Sequence, residues 1–371
     1  MTDTRLAARA AEAAPPVANP EHRKIAAYPL FDWLRFILAS IVVIGHAGVK
    51  FPAPIDGGLA VGVFLALSGW LIGGILLETE WSELPRFFYN RATRIWCPYF
   101  ATVILLYATA AVSHGVDGNW LKYLFYDATF THYTWTVFPR ALGEMPLKGT
   151  GNHFWSISVE EQFYLFAPLL MLVWQWGKRL WTWLIVAGVL LLFASMFAPI
   201  ALGVVAAIIN RDYGTNKAGV AWNASYRGPL IAAVAAVVLL VAAAYFPVQQ
   251  VRALLSLATV LAVAVPGERR PLGVFIGAIS YPLYLNHWMG VYVVNVVARR
   301  IGDVPVGILH ALDYLAAIPI AIAAWFLIDR QVMAYRNRWY TRSRGQWLGA
   351  IAYGLLVIGL VGGFLIQRAG G

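Results

Sequence analysis

The chain has 371 residues, of which 60% are hydrophobic and 12% are charged, and its formal net charge is +10. Soluble domains carry about 25% charged residues, so this composition excludes an ordinary soluble protein and predicts an all-α, polytopic bundle of transmembrane helices. No basic cluster alternates with aromatic residues in a polar stretch, as a nucleic-acid surface requires. We therefore interpret the positive charge as a topology signal and expect no nucleic-acid partner.

Residues 1–24 are rich in Ala and Pro and predict a disordered cytoplasmic tail. We expect no signal peptide here, because the apolar stretch behind the tail is too long and lacks a small-residue cleavage site. A membrane span needs about 20 apolar residues. Such spans are predicted at 31–49, 57–77, 96–113, 153–175, 180–197, 199–209, 228–246, 248–266, 272–298, 304–328 and 347–367, of which the sixth is too short to cross alone. With a cytoplasmic N-terminus, most Lys and Arg lie on the cytoplasmic side.

The first span contains two ionisable side chains, Arg35 and His46, eleven residues apart. Eleven residues make about 1100° of helix, roughly 20° past three full turns, so both side chains leave the same face about 16 Å apart. Ionisable groups within a span are costly and indicate function. Asp32 lies one turn before Arg35 and is expected to pair with it, so that Arg35 snorkels. His46 has no local partner and is the best candidate for a general base.

The second span is rich in small residues. Gly58 and Gly62 form one small-xxx-small pair, and Gly69 and Gly73 form another. Such pairs let a neighbouring helix approach closely, and the expected neighbour is the first span. Ser68 lies between them, and a hydroxyl there either bonds to its own helix or serves a binding site.

A basic, aromatic segment follows the second span and precedes Pro98. It predicts a short interfacial helix on the cytoplasmic side. Arg91 and Arg94 are three residues apart and therefore share a face of that helix. Paired guanidinium groups suit phosphate oxygens, and they equally suit an anchor on anionic lipid. Cys97, the single cysteine, excludes an internal disulfide and is interpreted as a packing residue.

The predicted external segment 114–152 is long for a membrane-protein loop. Its aromatic content argues against disorder and is compatible with two roles, an interfacial belt or a platform for sugar rings. The aromatic residues are Trp120, Tyr123, Phe125, Tyr126, Phe130, Tyr133, Trp135 and Phe138.

The fourth span begins with a polar stripe. His153, Ser156 and Glu160 follow one another at helical spacing, and Tyr164 continues the same face. Glu161 points about 80° away from that stripe. Adjacent carboxylates within a span are expensive, so at least one should face a polar interior. One of them either carries a proton during catalysis or forms a structural salt bridge with an arginine.

The ninth span carries a second polar stripe. Ser280, Tyr284 and His287 again share one helix face. Pro282 lies among them and is expected to kink the helix. His287 is either a functional group or a hydrogen-bonded core residue. The spacing of Cys and His residues predicts no metal site, and the chain has no Gly-rich phosphate loop.

Taken together, these segments resemble the acyltransferase family 3 integral membrane proteins, which O-acylate bacterial glycans. Four stretches carry the resemblance and occur in the family's order, from about residue 30 to about residue 330. They are DWLR with His46 at the Arg-x10-His spacing, GVFLALSGWLI, the R-x-x-R of RATRI, and FWSISVEEQFYLFAPL supported by ISYPLYLNHW. Each motif alone is weak, but the ordered set is specific.

The resemblance implies a cytoplasmic acyl-CoA donor, most simply acetyl-CoA, used as a co-substrate with no bound cofactor or metal. The acceptor would be a hydroxyl of a cell-envelope glycan or lipid-linked sugar. His46 matches the essential histidine and Arg35 its partner, while Arg91 and Arg94, with Ser68 nearby, match the donor site. Glu160 or Glu161 matches the acidic position, and Glu160 is the first candidate to orient the imidazole or relay its proton. Candidate acceptor or supporting residues are Asp32, His153, Ser156, Tyr284 and His287.

These expectations describe a multi-pass protein of the bacterial inner membrane with a cytoplasmic tail at 1–24, an acyltransferase domain at 25–345 and an additional C-terminal helix at 346–371. Family members usually have ten core spans. Some also carry a hydrolase-like domain, which this sequence does not show, so any second transfer step would fall to the core or to a glycan-assembly protein. The alternative function is a transporter or flippase whose Arg, His and Glu side chains line a substrate or proton path.

Overall fold

The computed structural model describes residues 27–49, 51, 54–136, 140–213 and 227–369. The predicted tail at 1–24 lies outside the described residues. The described part of the chain is helical and contains no strand, which confirms the predicted all-α bundle. Its helices pack around one continuous apolar core that runs through the bundle.

The helices are numbered here in chain order. They are α1 (Pro29–His46), α2 (Gly57–Glu78), α3 (Leu84–His114), α4 (Gly118–Ala128), α5 (His132–Trp135), α6 (Arg140–Glu144), α7 (Pro146–Gly149), α8 (Phe154–Pro168), α9 (Leu180–Leu192), α10 (Ala198–Tyr213), α11 (Arg227–Tyr245), α12 (Gln249–Val263), α13 (Pro271–Ile301), α14 (Val306–Ala324), α15 (Arg330–Trp339) and α16 (Arg342–Ala369). A π-helical turn, Leu169–Val173, continues α8, and another, Trp325–Asp329, joins α14 to α15.

Seven helical stretches within the described ranges are long and apolar enough to cross a membrane. They are α1, α2, α3, α8 with its π turn, α11, α14 through α15, and α16. Helices α9 and α12 are apolar but have fewer residues than a perpendicular crossing needs. The chain is therefore a multi-pass membrane protein, and the count of ten or eleven spans stays a prediction.

The predicted interfacial helix is wrong, because it and the third span form one helix, α3, of 31 residues. Pro98 does not interrupt α3, and the Thr102 hydroxyl donates to the Pro98 carbonyl at 3.0 Å. Phe87 and Trp96 are buried in the bundle, so packing rather than a membrane surface fixes the arginine-bearing part of α3.

The predicted partner of the second-span glycines is also wrong. A Cβ at Gly69 would collide with the Ile200 carbonyl of α10, and one at Gly73 would press on Val204 of the same helix. Gly203 of α10 faces the Ala66 carbonyl in return. Gly69 and Gly73 therefore allow α2 to cross α10 at backbone contact, whereas Gly62 faces Ser256 of α12.

The boundary between the fifth and sixth predicted spans also differs. Helix α9 ends at Leu192, and Ala194 lies in the left-handed region with φ of 49°. Residues 193–197 therefore form a turn instead of the end of a span. Helix α10 then runs for 16 residues.

The aromatic segment 114–152 folds, in its described residues, into short helices packed on α3 and α8. Tyr123, Tyr126 and Phe130 are buried, so they belong to the core rather than to a lipid belt or a sugar platform. Asp127 holds the segment in place, because its carboxylate accepts from the Tyr107 hydroxyl of α3 at 2.6 Å and contacts His132 Nδ1 at 2.6 Å.

Candidate active site

A cavity of about 280 Å³ lies between α1, α2, α3, α8 and α13. We call it the arginine cavity, and we call the end of the bundle where Arg94 lies the arginine end. The cavity wall is mainly apolar. Seven of the residues predicted for the site line it: Arg35, Ser68, Arg91, Arg94, Ser156, Glu160 and Tyr284.

The arginine cavity has an excess of positive charge. Three arginines reach it, whereas Glu160 is its single carboxylate among the described lining residues. Arg94 is exposed, while Arg91 lies deeper with a buried Nε that has no hydrogen-bond partner among the described residues. The guanidinium of Arg91 stands 6.0 Å from the ring centroid of Tyr164. Both arginines of the R-x-x-R pair thus face one cavity, and a donor set of this kind suits an anion with several oxygens.

The predicted pair of Asp32 and Arg35 forms, with Nη1 of the arginine 3.0 Å from Oδ1 of the carboxylate. Asp32 is buried, and Arg269 also grips it through two bonds of 2.6 and 2.7 Å. Gly277 of α13 makes room for this carboxylate, because a Cβ there would overlap Asp32. Because the Asp32 carboxylate is shared with Arg269, it does not fully neutralise the guanidinium of Arg35, which also lines the cavity.

The two adjacent carboxylates of α8 have different surroundings. Glu160 accepts from the Tyr164 hydroxyl at 3.1 Å, and the Tyr164 oxygen is also 2.7 Å from Ser68 Oγ. Glu161 points to α3 and accepts from Trp96 Nε1 at 2.8 Å. Among the described residues, no Lys or Arg nitrogen forms an ion pair with either carboxylate, so the structural salt bridge considered for them does not form.

His46 lies at the opposite end of α1 from Arg35, and its Nδ1 is 2.8 Å from Nε2 of His287. We call this the histidine end. His287 Nδ1 lies 2.7 Å from the Tyr284 carbonyl. A carbonyl oxygen only accepts hydrogen bonds, so Nδ1 of His287 carries a proton, and in the neutral ring its Nε2 is an acceptor. His46 then donates from Nδ1, which leaves its Nε2 unprotonated.

With its Nε2 unprotonated, the His46 imidazole can accept a proton at that nitrogen. His287 is buried, whereas His46 is exposed at the helix end. The assignment follows from the hydrogen-bond pattern. His287, rather than Glu160, orients the His46 imidazole. Glu160 contacts Tyr164 inside the arginine cavity instead. The expectation that Glu160 orients the imidazole is corrected because the Glu160 side chain leaves α8 two turns below His153, toward the arginines.

His153 completes a cluster of three imidazoles. Its ring centroid is 4.8 Å from that of His287 and 6.3 Å from that of His46. Its nitrogens face the carbonyls of Leu285 at 3.1 Å and Thr150 at 3.2 Å, so it supports the local structure rather than touching His46 through a hydrogen bond. In the described part of the chain, no group of three or more His, Cys, Asp or Glu residues is placed to hold a metal.

The two polar stripes predicted for the fourth and ninth spans face each other. Ser156 Oγ lies 2.6 Å from the Tyr284 hydroxyl, and Ser280 donates to the Gly277 carbonyl at 2.7 Å. Pro282 lies inside α13, which continues through it as one helix. The stripes therefore form the surface where α8 meets α13, between the arginine cavity and the histidine cluster.

Sequence reasoning missed two residues of this arrangement. Arg269 lies between the eighth and ninth predicted spans and had no predicted role in the site, and its contact with Asp32 spans 237 positions. Phe64 lines the cavity and packs edge-on against Tyr284 with ring centroids 6.1 Å apart. Phe64 stands within the quoted GVFLALSGWLI stretch, but an apolar residue in an apolar span gives no signal of its own.

The chain is similar to a known family of proteins and to several curated relatives. Residues 28–330 match the type 3 model described as "Acyltransferase domain". The chain is 28% identical over 164 residues to "Peptidoglycan O-acetyltransferase OatA" of Listeria monocytogenes, covering 41% of this chain and 25% of that protein. It is 29% identical over 165 residues to "Putative peptidoglycan O-acetyltransferase YrhL" of Bacillus subtilis, covering 41% and 24%. The chain thus spans about a quarter of the length of these relatives. No solved structure matches it.

Proposed function

Because the chain belongs to the type 3 acyltransferase family of membrane proteins, we propose that it is a membrane O-acetyltransferase. It would move the acetyl group of acetyl-CoA to a hydroxyl of a cell-envelope glycan or lipid-linked sugar. One observation carries the proposal: α1 holds a phosphate-compatible arginine at one end and an imidazole with a free Nε2 at the other. The names of the relatives make peptidoglycan the first acceptor to test.

The arginine cavity is the proposed donor site. Its volume of about 280 Å³ lies at the low end for small-molecule pockets, which suits the thin pantetheine arm rather than the whole coenzyme. The CoA phosphates would remain at the mouth with Arg94 and Arg91. This placement favours donor binding over a lipid anchor for Arg91, because its guanidinium lies inside the bundle beside Tyr164.

The proposed orientation of the protein in the membrane follows from the compartment in which the acyl donor is found. Acyl-CoA is cytoplasmic, so the arginine end would face the cytoplasm and the histidine end the outer side of the bacterial inner membrane. The positive-inside rule supports this direction, since Arg86, Arg91 and Arg94 lie together at the start of α3. The cytoplasmic tail at 1–24 and glycan-assembly partners belong to the same proposal.

The proposed chemistry is a direct transfer at His46. The acceptor hydroxyl attacks the thioester carbon while Nε2 of His46 takes its proton. The carbon–sulfur bond breaks, the new ester forms, and the proton passes from His46 to the thiolate to give free CoA. His287 holds the imidazole in the required tautomer throughout. An acyl-His46 intermediate, formed before the alcohol arrives, is the second route.

The test is thiol release by the purified protein in detergent, with acetyl-CoA and a peptidoglycan oligosaccharide as acceptor. The wild type should release CoA thiol and acetylate the sugar, whereas His46→Ala should abolish both, because the proton acceptor is gone. His114→Ala is the matched control, since His114 is an exposed histidine at the end of α3. Wild-type rates in His46→Ala would contradict the assignment. Transport of the sugar without thiol release would favour the transporter alternative.

A further inference from the structure

Side chains stand between the arginine cavity and His46. Described residues that line the cavity include Ser156, Phe64 and Tyr284, and His46 is not among them. Beyond Tyr284 lie the imidazoles, with the ring centroid of His153 5.6 Å from that of Tyr284. A layer formed by the side chains of Tyr284, His153 and His287 therefore separates the space proposed for the thioester from the base that must reach the reaction.

Tyr284 is the centre of that layer, and hydrogen bonds hold its ring in place. Its hydroxyl donates to the His153 carbonyl at 2.9 Å and lies 2.6 Å from Ser156 Oγ. Ser156 Oγ also reaches the same carbonyl at 3.2 Å. The two hydroxyls have one proton each, so two of these three contacts are hydrogen bonds at a time, and either arrangement ties α13 to the start of α8. Phe64 of α2 packs against the Tyr284 ring from the cavity side.

The backbone carbonyl of Tyr284 contacts the histidine cluster on the other side of the layer. Its carbonyl accepts from His287 Nδ1, and His287 accepts from His46. The same residue thus closes the cavity with its ring and fixes the tautomer of the base with its backbone. Two residues earlier, Pro282 has no N–H, so the carbonyl of Ala278 lacks its usual helical partner, which weakens the helix locally.

From this geometry we infer that Tyr284 is a gate between the donor cavity and His46, latched by Ser156 and the His153 carbonyl. The inference rests on the proposed function, because a gate has a purpose only if a thioester must pass from one compartment to the other. With the gate closed, water from the histidine end cannot reach the thioester carbon. With the gate open and no acceptor present, water replaces the alcohol and acetyl-CoA is hydrolysed to acetate and CoA.

The first experiment needs no catalysis. Ser68→Cys in a Cys97→Ser background places one thiol in the cavity, below the gate. A membrane-impermeant thiol reagent applied from the arginine end should label it in every variant, which shows that the protein is folded. Applied from the histidine end, the reagent should label it only when Tyr284→Ala is added.

Two results would overturn the gate. Labelling from the histidine end with Tyr284 intact would show that the layer is open. Absence of labelling in the Tyr284→Ala variant, while labelling from the arginine end persists, would show that other groups form the barrier. Both results are independent of whether the protein transfers acetyl groups, so they are distinguishable from failure of the proposed function.

The second experiment measures acceptor-independent thiol release from acetyl-CoA. Tyr284→Phe keeps the ring and removes the latch. It should raise this rate about five-fold, the population change expected from losing the net hydrogen bonding of one hydroxyl. Ser156→Ala should act in the same direction. Tyr353→Phe is the control, since its hydroxyl donates to the Leu165 carbonyl at 2.8 Å outside the site. Equal rates in Tyr284→Phe and Tyr353→Phe would contradict the latch.

Discussion

His46 depends on a partner that lies 241 positions away in the chain. An isolated imidazole has two neutral tautomers, and only the one with a free Nε2 can accept a proton from an alcohol at that nitrogen. The Tyr284 carbonyl selects the tautomer of His287, and His287 selects the tautomer of His46. These hydrogen bonds therefore give His287 a positioning role for the proposed base.

This role makes a prediction for His287. His287→Leu removes the acceptor and should lower kcat by roughly 10- to 100-fold, less than the loss of the base itself, while the donor KM changes little. His287→Gln should retain more activity, because its amide oxygen can still accept from His46 Nδ1. Steady-state kinetics of both variants provides the check. If Leu and Gln at this position gave equal losses, His287 would be a packing residue only.

At the residue scale, sequence patterns predicted which side chains face the interior, but only partly what they touch. The spacing of Arg35 and His46 placed both on one face of α1, and the Asp32–Arg35 pair formed as expected. The contacts of Asp32 with Arg269 and of His46 with His287 span more than 200 positions. No local spacing encodes such contacts, since they depend on how whole helices pack.

At the scale of helices, length and apolar content predicted most elements, and tertiary packing decided the rest. The sequence predicted a separate interfacial helix before Pro98, yet α3 continues through this proline because both of its flanks are buried in the bundle. The second-span glycines were recognised as a close-contact surface, whereas α10 was not recognised as the partner of Gly69 and Gly73. A small-residue pattern predicts a close approach without specifying which helix approaches.

Helix α16 shows how an element outside the matched region 28–330 joins the same bundle. Trp135 Nε1 donates to the Gly359 carbonyl at 3.0 Å, and Gln367 donates to the Trp135 carbonyl at 3.0 Å. A Cβ at Gly359 would overlap the side chains of Thr129 and Thr131. The final helix therefore supports the aromatic segment at the histidine end. The predicted boundary between domains 25–345 and 346–371 stays a prediction.

This packing predicts a contrast between two glycines of α16. Gly359→Leu should destabilise the protein by about 1–3 kcal/mol, the usual cost of overpacking, and should increase proteolysis within residues 118–136. Gly354→Leu is the matched control, because nothing in the described structure lies within 4 Å of its added Cβ. Thermal unfolding in detergent and limited proteolysis provide the measurements. Equal midpoints for the two variants would show that α16 does not support the segment.

At the scale of the whole molecule, the site is divided between two ends of one bundle. The arginines gather at one end of α1 and the imidazoles at the other, with Tyr284 and its neighbours between them. An enzyme whose two substrates meet in one compartment does not need binding groups and a base at opposite ends of the bundle. The division suits a reaction in which a charged coenzyme stays on one side of the membrane and its acyl group leaves on the other.

The division is tested most directly by supplying the donor to one membrane face at a time. Sealed vesicles of known orientation would contain the protein, with a peptidoglycan oligosaccharide at the histidine end. Acetyl-CoA added only at the arginine end should give acetylated sugar in the opposite compartment and CoA thiol on the donor side. The same acetyl-CoA added only at the histidine end should give neither. Transfer from the histidine end at a comparable rate would contradict the account.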